Sequence, residues 1–162
     1  MTFTTRDAVP GDASALADLH VETWREAYAH LLPDGFFSAD YVAARHRTWH
    51  HVLTNPRPSM TIRVAEADGA IIGFSWAGEP EPDATAPRDR QLFAIYVLAA
   101  HYGTGAGQTL LTEAIGDEPA FLWVAKENPR AVAFYERNGF RFDGAEQAGA
   151  HGSAMTAARM VR

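Results

Sequence analysis

The stretch QLFAIYVLAAHYGTGAGQTLLTEAIG, residues 91–116, decides the fold. It opens with Leu92, Phe93, Ile95, Tyr96 and Val97, an apolar run of strand length. Gly103, Gly105 and Gly107 follow at two-residue spacing. Leu110, Leu111, Ala114 and Ile115 then recur at helical spacing, and Gly116 supplies a stop. A strand that enters a helix through glycines can turn backbone N–H groups into an anion cradle, because glycine admits close approach and the helix start adds unpaired donors. A tight strand-to-helix connection without a ligand needs the same spacing, and the residues alone leave both readings open. Two better-known glycine motifs do not fit. A P-loop requires Lys and then Ser/Thr after its last glycine, where this chain has Gln108 and Thr109. A dinucleotide fingerprint requires G-x-G-x-x-G early in a βαβ unit, where this chain has G-x-G-x-G late.

The 162 residues have room for a sizeable core, and residues 1–162 read as a single domain. A hydrophobic content of 47% fits a folded globular chain. The absence of cysteine excludes disulfides, thiolate nucleophiles and cysteine-bound zinc. A formal charge of −6 without any block of Lys or Arg disfavours nucleic acid as a partner. No apolar stretch is long enough to span a bilayer and no basic-then-apolar signal is present, so the expectation is a cytoplasmic protein without a membrane partner.

Residues 2–6 alternate weakly as a first strand. Asp12 or Ser14 can then cap a helix over 13–29, whose apolar stripe includes Leu16, Leu19, Trp24 and Tyr28. Glu22 and Glu26 stand four apart and either serve an amine or simply face solvent. Trp24 and Tyr28 share a face, as substrate contacts or as core packing. A second helix is expected over 38–53. Its His46 and His50 lack both an H-E-x-x-H pattern and a third ligand, so no metal is expected. MTIRVAEA (60–67) and AIIGFSWA (70–77) read as a hairpin closed by Asp68-Gly69. The polar, proline-rich stretch 79–90 reads as a loop that overhangs a ligand site, with Glu79 and Glu81 either on the acceptor side or ordinarily solvated. AFLWVA (120–125) is another strand, and Asn128-Pro129 opens a helix carrying Phe134 and Tyr135. From spacing alone Tyr135 is either a proton donor or a half-buried packing residue. Phe140 and Phe142 begin a strand, residues 144–152 read as a loose connection, and 155–161 as a last strand. The sum is a mixed α/β (α+β) fold: one central, mostly antiparallel sheet of roughly seven strands flanked by roughly four helices.

The stretches LFAIYVLAAHYGTGAGQTLLTEAI and FLWVAKENPRAVAFYERNGFRFDG resemble the GNAT acetyltransferase superfamily. Its central motif is a strand followed by Q/R-x-x-G-x-G/A, and its next motif is Asn…Ala…Phe-Tyr…Gly-Phe. The likeness covers about half the chain closely. VETWREAYAHLLPDGF (21–36) is similar, less specifically, to the first helix of the polyamine- and small-amine-acetylating branch. The resemblance implies a GNAT-like domain with acetyl-CoA as cofactor. Ile95, Tyr96 and Val97 would be the splayed strand whose backbone pairs with the pantetheine arm. The amides from Tyr102 through Gly103, Thr104, Gly105, Ala106 and Gly107 to Gln108 would bind the pyrophosphate. Asn128 would contact the cofactor arm, and Tyr135 would protonate the departing thiolate. Two positions depart from the pattern: Tyr102 stands where Gln or Arg is usual, and Gln91 stands where many relatives carry a glutamate base.

The implied reaction is direct acetyl transfer to a primary amine of a small molecule, with the Val97 N–H polarising the carbonyl. The base would be Glu22, Glu79, Glu81 or a water chain, or would be unnecessary if the amine arrives deprotonated. In the loop, Glu79, Glu81, Asp83 and Asp89 outnumber Arg88 and Arg90, which mildly favours a cationic acceptor. The alternatives are a sensor or interaction module that binds a CoA compound without turnover, and a transferase acting on a protein N-terminus or an antibiotic. A homodimer is in keeping with the family, although no residue pattern fixes an interface.

Overall fold

The computed structural model describes residues 2–82, 85–150 and 153–162. Asp83 of the acidic loop and residues 151 and 152 of the last connection lie outside the described residues. The chain runs β1 (Thr4–Asp7), α1 (Ala13–Tyr28), α2 (Ala39–Thr54), β2 (Thr61–Ala67), β3 (Ala70–Gly78), β4 (Gln91–Val97), α3 (Ala106–Ile115), β5 (Phe121–Ala125), α4 (Pro129–Arg137), β6 (Arg141–Ala148) and β7 (Thr156–Val161). The seven strands form one sheet in the order β1-β2-β3-β4-β5-β7-β6. Only the β4–β5 pair is parallel, and α3 is its crossover. This is the mixed fold expected from the sequence.

Local chemistry explains most boundaries. Asp68 (φ 52°) and Gly69 (φ 77°) both sit in the left-handed region, as the tight β2–β3 hairpin requires. The Ser38 side chain accepts the Tyr41 N–H and starts α2. Asp12 does not cap α1 as anticipated: its carboxylate turns back to accept the Val9 N–H at 2.8 Å and pairs with Arg6 at 2.8 Å. The connection read as loose is largely strand, since β6 continues to Ala148. A bulge hides its alternation, with β6 advancing from Phe142 to Glu146 while β7 passes only from Met160 to Ala158.

Helices cover both faces of the sheet. Leu16 of α1 and Trp49 of α2 pack with Val64 and Phe74 on one face. Leu111 of α3 and Tyr135 of α4 pack with Leu122 and Met160 on the other. Burying Phe74, which is fully enclosed, contributes about 1.5–3 kcal/mol. The Ser75 hydroxyl donates to the Leu110 carbonyl at 3.0 Å and ties α3 to the sheet.

The middle of the sheet departs from regularity. Ala77 pairs with Leu92 and Trp76 with Ala94, so Phe93 is an extra residue on β4. On the other side, β4 meets β5 only at Gln91↔Phe121 and Leu92↔Leu122. Beyond these two pairs the strands part. β4 stays attached to β3 alone, and the contact is close: a Cβ on Gly73 would lie 2.9 Å from the Tyr96 carbonyl oxygen. Gly73→Ala should therefore cost about 1–3 kcal/mol by forcing the two backbones apart. Urea denaturation measures this, and an unchanged midpoint would show that β3 and β4 separate without penalty.

Candidate active site

Where β4 and β5 part, a cavity of about 920 Å³ opens. Two helix starts flank it. The glycine turn follows β4 and leads into α3, and Asn128 follows β5 and leads into α4. Parallel strands carry both turns to the same end of the sheet, which is where open α/β sheets place their ligands.

The backbone of β4 forms one wall. The Leu98 N–H donates to the Ile72 carbonyl at 2.9 Å, so this position faces β3. By strand alternation Ile95 and Val97 present their N–H groups to the opposite side, where pairing with β5 has ended. Ile95, Tyr96 and Val97 all line the cavity. In the turn, Gly103 (φ 76°) and Gly105 (φ 91°) adopt left-handed backbone, and a Cβ on either would meet nothing within 4 Å. Gly105 precedes α3, whose first-turn N–H groups have no intrahelical acceptor. Tyr102, Gly103, Gly105, Ala106, Gly107 and Gln108 line the cavity. Thr104 braces the turn instead, donating to the His101 carbonyl at 2.8 Å.

Asn128 caps α4 by accepting the Ala131 N–H at 3.1 Å, and its amide donates to the Tyr28 hydroxyl at 3.1 Å. Tyr135 is buried beside Phe134 and Phe140. Burial, reinforced by nearby Tyr28, pushes its phenol above the usual range, so Tyr135 is held protonated. Burial raises Tyr28 in the same way. Trp24 and Tyr28 line the cavity while packing against each other at 4.9 Å.

The three carboxylates offered as bases lie elsewhere. Glu22 is exposed and pairs with Arg25 at 2.7 Å. Glu79 is exposed, and Glu81 reaches Arg57 at 3.4 Å. No described residue of the 79–90 loop lines the cavity, so the expected overhang is absent among the described residues. The loop is anchored away from it, with Arg90 donating to the Ser59 and Ala114 carbonyls. Gln91 sits at the paired head of β4 and does not line the cavity. His46 is engaged by Asp18 at 2.8 Å.

Several lining residues were not picked out in the sequence. Arg130 stacks its guanidinium 3.3 Å above the Tyr102 ring and brings a cation beside the glycine turn. Arg45 reaches the cavity from α2, and His20 from α1. The signal was a polar residue set in an apolar stripe: Leu16, His20 and Trp24 recur every four residues, as do Tyr41, Arg45 and Trp49. His20 is unusual chemically. Its Nδ1 accepts the Trp49 indole N–H at 3.1 Å, which puts the proton of the neutral ring on Nε2. Burial, and secondarily Arg45, pushes its pKa down to about 3. His20 is therefore a neutral donor, with its lone pair already used.

Comparison with known proteins agrees with this geometry. The acetyltransferase (GNAT) family pattern matches residues 15–140. A probable N-acetyltransferase of Mycobacterium tuberculosis is 29% identical over 145 residues, covering 86% of this chain and 80% of the relative. An uncharacterized N-acetyltransferase of Mycobacterium bovis is 31% identical over 124 residues, covering 72% of this chain and 73% of the relative. Among solved structures, the PaiA N-acetyltransferase of Thermoplasma acidophilum in complex with coenzyme A superposes with a TM-score of 0.77 at 18% identity, covering 98% of both chains.

The state of His20 has a measurable consequence. The unfolded chain protonates this residue near 6.5, and the fold refuses the proton until about 3. Stability should therefore fall as pH drops from about 6.5 towards 3, because the unfolded state binds more protons there. His20→Gln keeps an acceptor for Trp49 and should flatten that part of the slope. Urea midpoints of both proteins at pH 7 and pH 5 test this, and identical slopes would refute it.

Proposed function

The chain belongs to the acetyltransferase (GNAT) family, and on that premise we propose that it moves an acetyl group from acetyl-CoA directly to the primary amine of a small molecule. As an acetyl-CoA-dependent acyltransferase it needs a long slot with phosphate donors at one end and a protonated acid inside. The observation that carries the reading is the single cavity joining the glycine turn to Tyr135 along the unpaired edge of β4.

The residues present suit the cofactor. The clear space over Gly103 and Gly105 admits a pyrophosphate to the α3 amides, and Arg130 offers the cation that Tyr102 does not. The N–H and C=O groups of β4 that face away from β3 suit an extended amide arm. When bound, acetyl-CoA supplies an activated thioester carbonyl. The chain's part is to hold that carbonyl, with the Val97 N–H as donor, and to protonate sulfur from Tyr135. A bond forms between amine nitrogen and acetyl carbon, the carbon–sulfur bond breaks, and Tyr135 regains its proton from solvent. Among the described residues no Asp or Glu lines the cavity, and the His20 lone pair is occupied. The amine therefore enters as the free base, with its last proton passing to water.

Release of thiol across a panel of amines tests the activity. Tyr135→Phe should lower kcat by about 100-fold while leaving acetyl-CoA affinity unchanged. For the wild type, kcat/KM should climb towards the acceptor's own ammonium pKa, without a limb in the carboxylate range. An unaltered kcat in the variant removes Tyr135 as the acid. Arg130→Ala should weaken coenzyme A by about tenfold in calorimetry, and equal affinity would remove Arg130 from the phosphate site.

A further inference from the structure

The acceptor half of the cavity carries a charge pattern that a polyamine site would not. The ionisable lining of the whole cavity consists of tyrosines, histidines and Arg45, Arg130 and Arg137, with no Asp or Glu among the described residues. Arg130 belongs to the glycine turn through its stacking on Tyr102. Arg45 lies on the other side of the cavity. It shares a face of α2 with Trp49, which contacts His20 at 6.0 Å and Trp76 at 5.4 Å between ring centroids.

Arg45 is held rather than neutralised. Its Nη2 donates to the Tyr41 hydroxyl at 3.1 Å, and its guanidinium lies 5.2 Å from the centre of that ring. No carboxylate pairs with it among the described residues. Its Nε is buried without an acceptor, and so is the indole Nε1 of Trp76 on β3. Both residues line the cavity. A buried N–H without an acceptor costs about 1–3 kcal/mol, and one on a fixed guanidinium with a second on the wall of the same cavity suit an oxyanion. Phe93, the bulged residue, packs 5.3 Å from Trp76, and with Trp24 it gives this half an aromatic lining.

We propose that Arg45, aided by the Trp76 indole N–H, receives a carboxylate on the acceptor, so that the substrate is a small amino-carboxylate with an apolar body rather than a polyamine. This rests on the transferase reading above. A guanidinium presents its donors in a planar fork that matches a carboxylate, and it repels a second ammonium group. The carboxylate is fixed against α2 and β3 while the amine reaches the open edge of β4. Tyr41 positions the guanidinium from below.

The test compares phenylalanine, leucine and 4-aminobutyrate with phenethylamine, phenylalaninamide, putrescine and spermidine, by thiol release. Calorimetric binding of the same compounds to protein saturated with coenzyme A runs in parallel. One or more amino-carboxylates should exceed their decarboxylated or amidated partners in kcat/KM. Arg45→Met should raise KM for them by about thirtyfold or more, leaving kcat and the acetyl-CoA KM little changed, with Arg45→Lys recovering part of the loss. Preference for decarboxylated or dicationic amines, unaffected by Arg45→Met, would overturn the carboxylate site and leave the transferase reading standing. Arg45-dependent binding of an amino-carboxylate without turnover would support the carboxylate site and sink the transferase reading. Neither binding nor turnover across the panel would overturn both.

Discussion

Everything in this molecule depends on the short attachment between β4 and β5. Two residue pairs join them, and beyond Leu92 and Leu122 the strands go separate ways. Leaving strand edges unpaired in the middle of a sheet is expensive, since each buried, unsatisfied backbone group costs about 1–3 kcal/mol. The fold tolerates it because each strand keeps a full partner on its other side. β4 is paired with β3 from Gln91 to Val97, and β5 with β7 along its whole length. The sheet therefore behaves as two ladders hinged at one end. The bulge at Phe93 begins where the β5 contact stops and gives β4 the local bend that a flat ladder would resist.

Side chains set the width of the opening. The Asn128 amide joins the start of α4 to Tyr28 at the end of α1, bridging elements from opposite faces of the sheet. On the other side of the cavity, Gln108 and Asn138 exchange hydrogen bonds at 2.8 and 3.1 Å and hold α3 to α4. Asn128 also caps its helix, so one residue fixes a helix start and a cavity wall together. The glycine turn is in this way set at the start of α3 and Tyr135 within α4, on rigid helices, as a site that must hold a reacting group in place requires.

The sheet, the hairpin and the helices were legible because each is written in local periodicity or turn chemistry: the apolar run from Leu92, the Asp68-Gly69 pair, the Asn128-Pro129 start. The glycine-turn side of the cavity was legible because consecutive residues build it, and glycine spacing survives in one dimension. The opposite side of the cavity was not, since it is assembled from α1, α2 and β3, which meet only after folding. Glu22, Glu79 and Glu81 were reasonable by type, yet whether a carboxylate faces a cavity depends on which side of its element it occupies. Glu22 falls on the solvent face of α1 beside Arg25, while its neighbour Thr23 lines the cavity. Arg45 was hidden for the opposite reason. An arginine on a helix reads as solvent-facing unless its four-residue neighbours, Tyr41 and Trp49, are recognised as the buried stripe.

The same reasoning separates the charge of the protein from the charge of its site. The chain carries −6 overall, which by itself suggests attraction for cations. Many of its carboxylates are spent on the exterior, however, in pairs such as Glu22 with Arg25 and Glu81 with Arg57. Such pairs at the surface are screened and contribute little at the depth of the cavity. The field an acceptor meets is set by the few charges that fall on inward faces, where the dielectric is lower and each one counts for more. Among the described lining residues those charges are arginines, so an acidic protein encloses a pocket whose fixed charges are cationic.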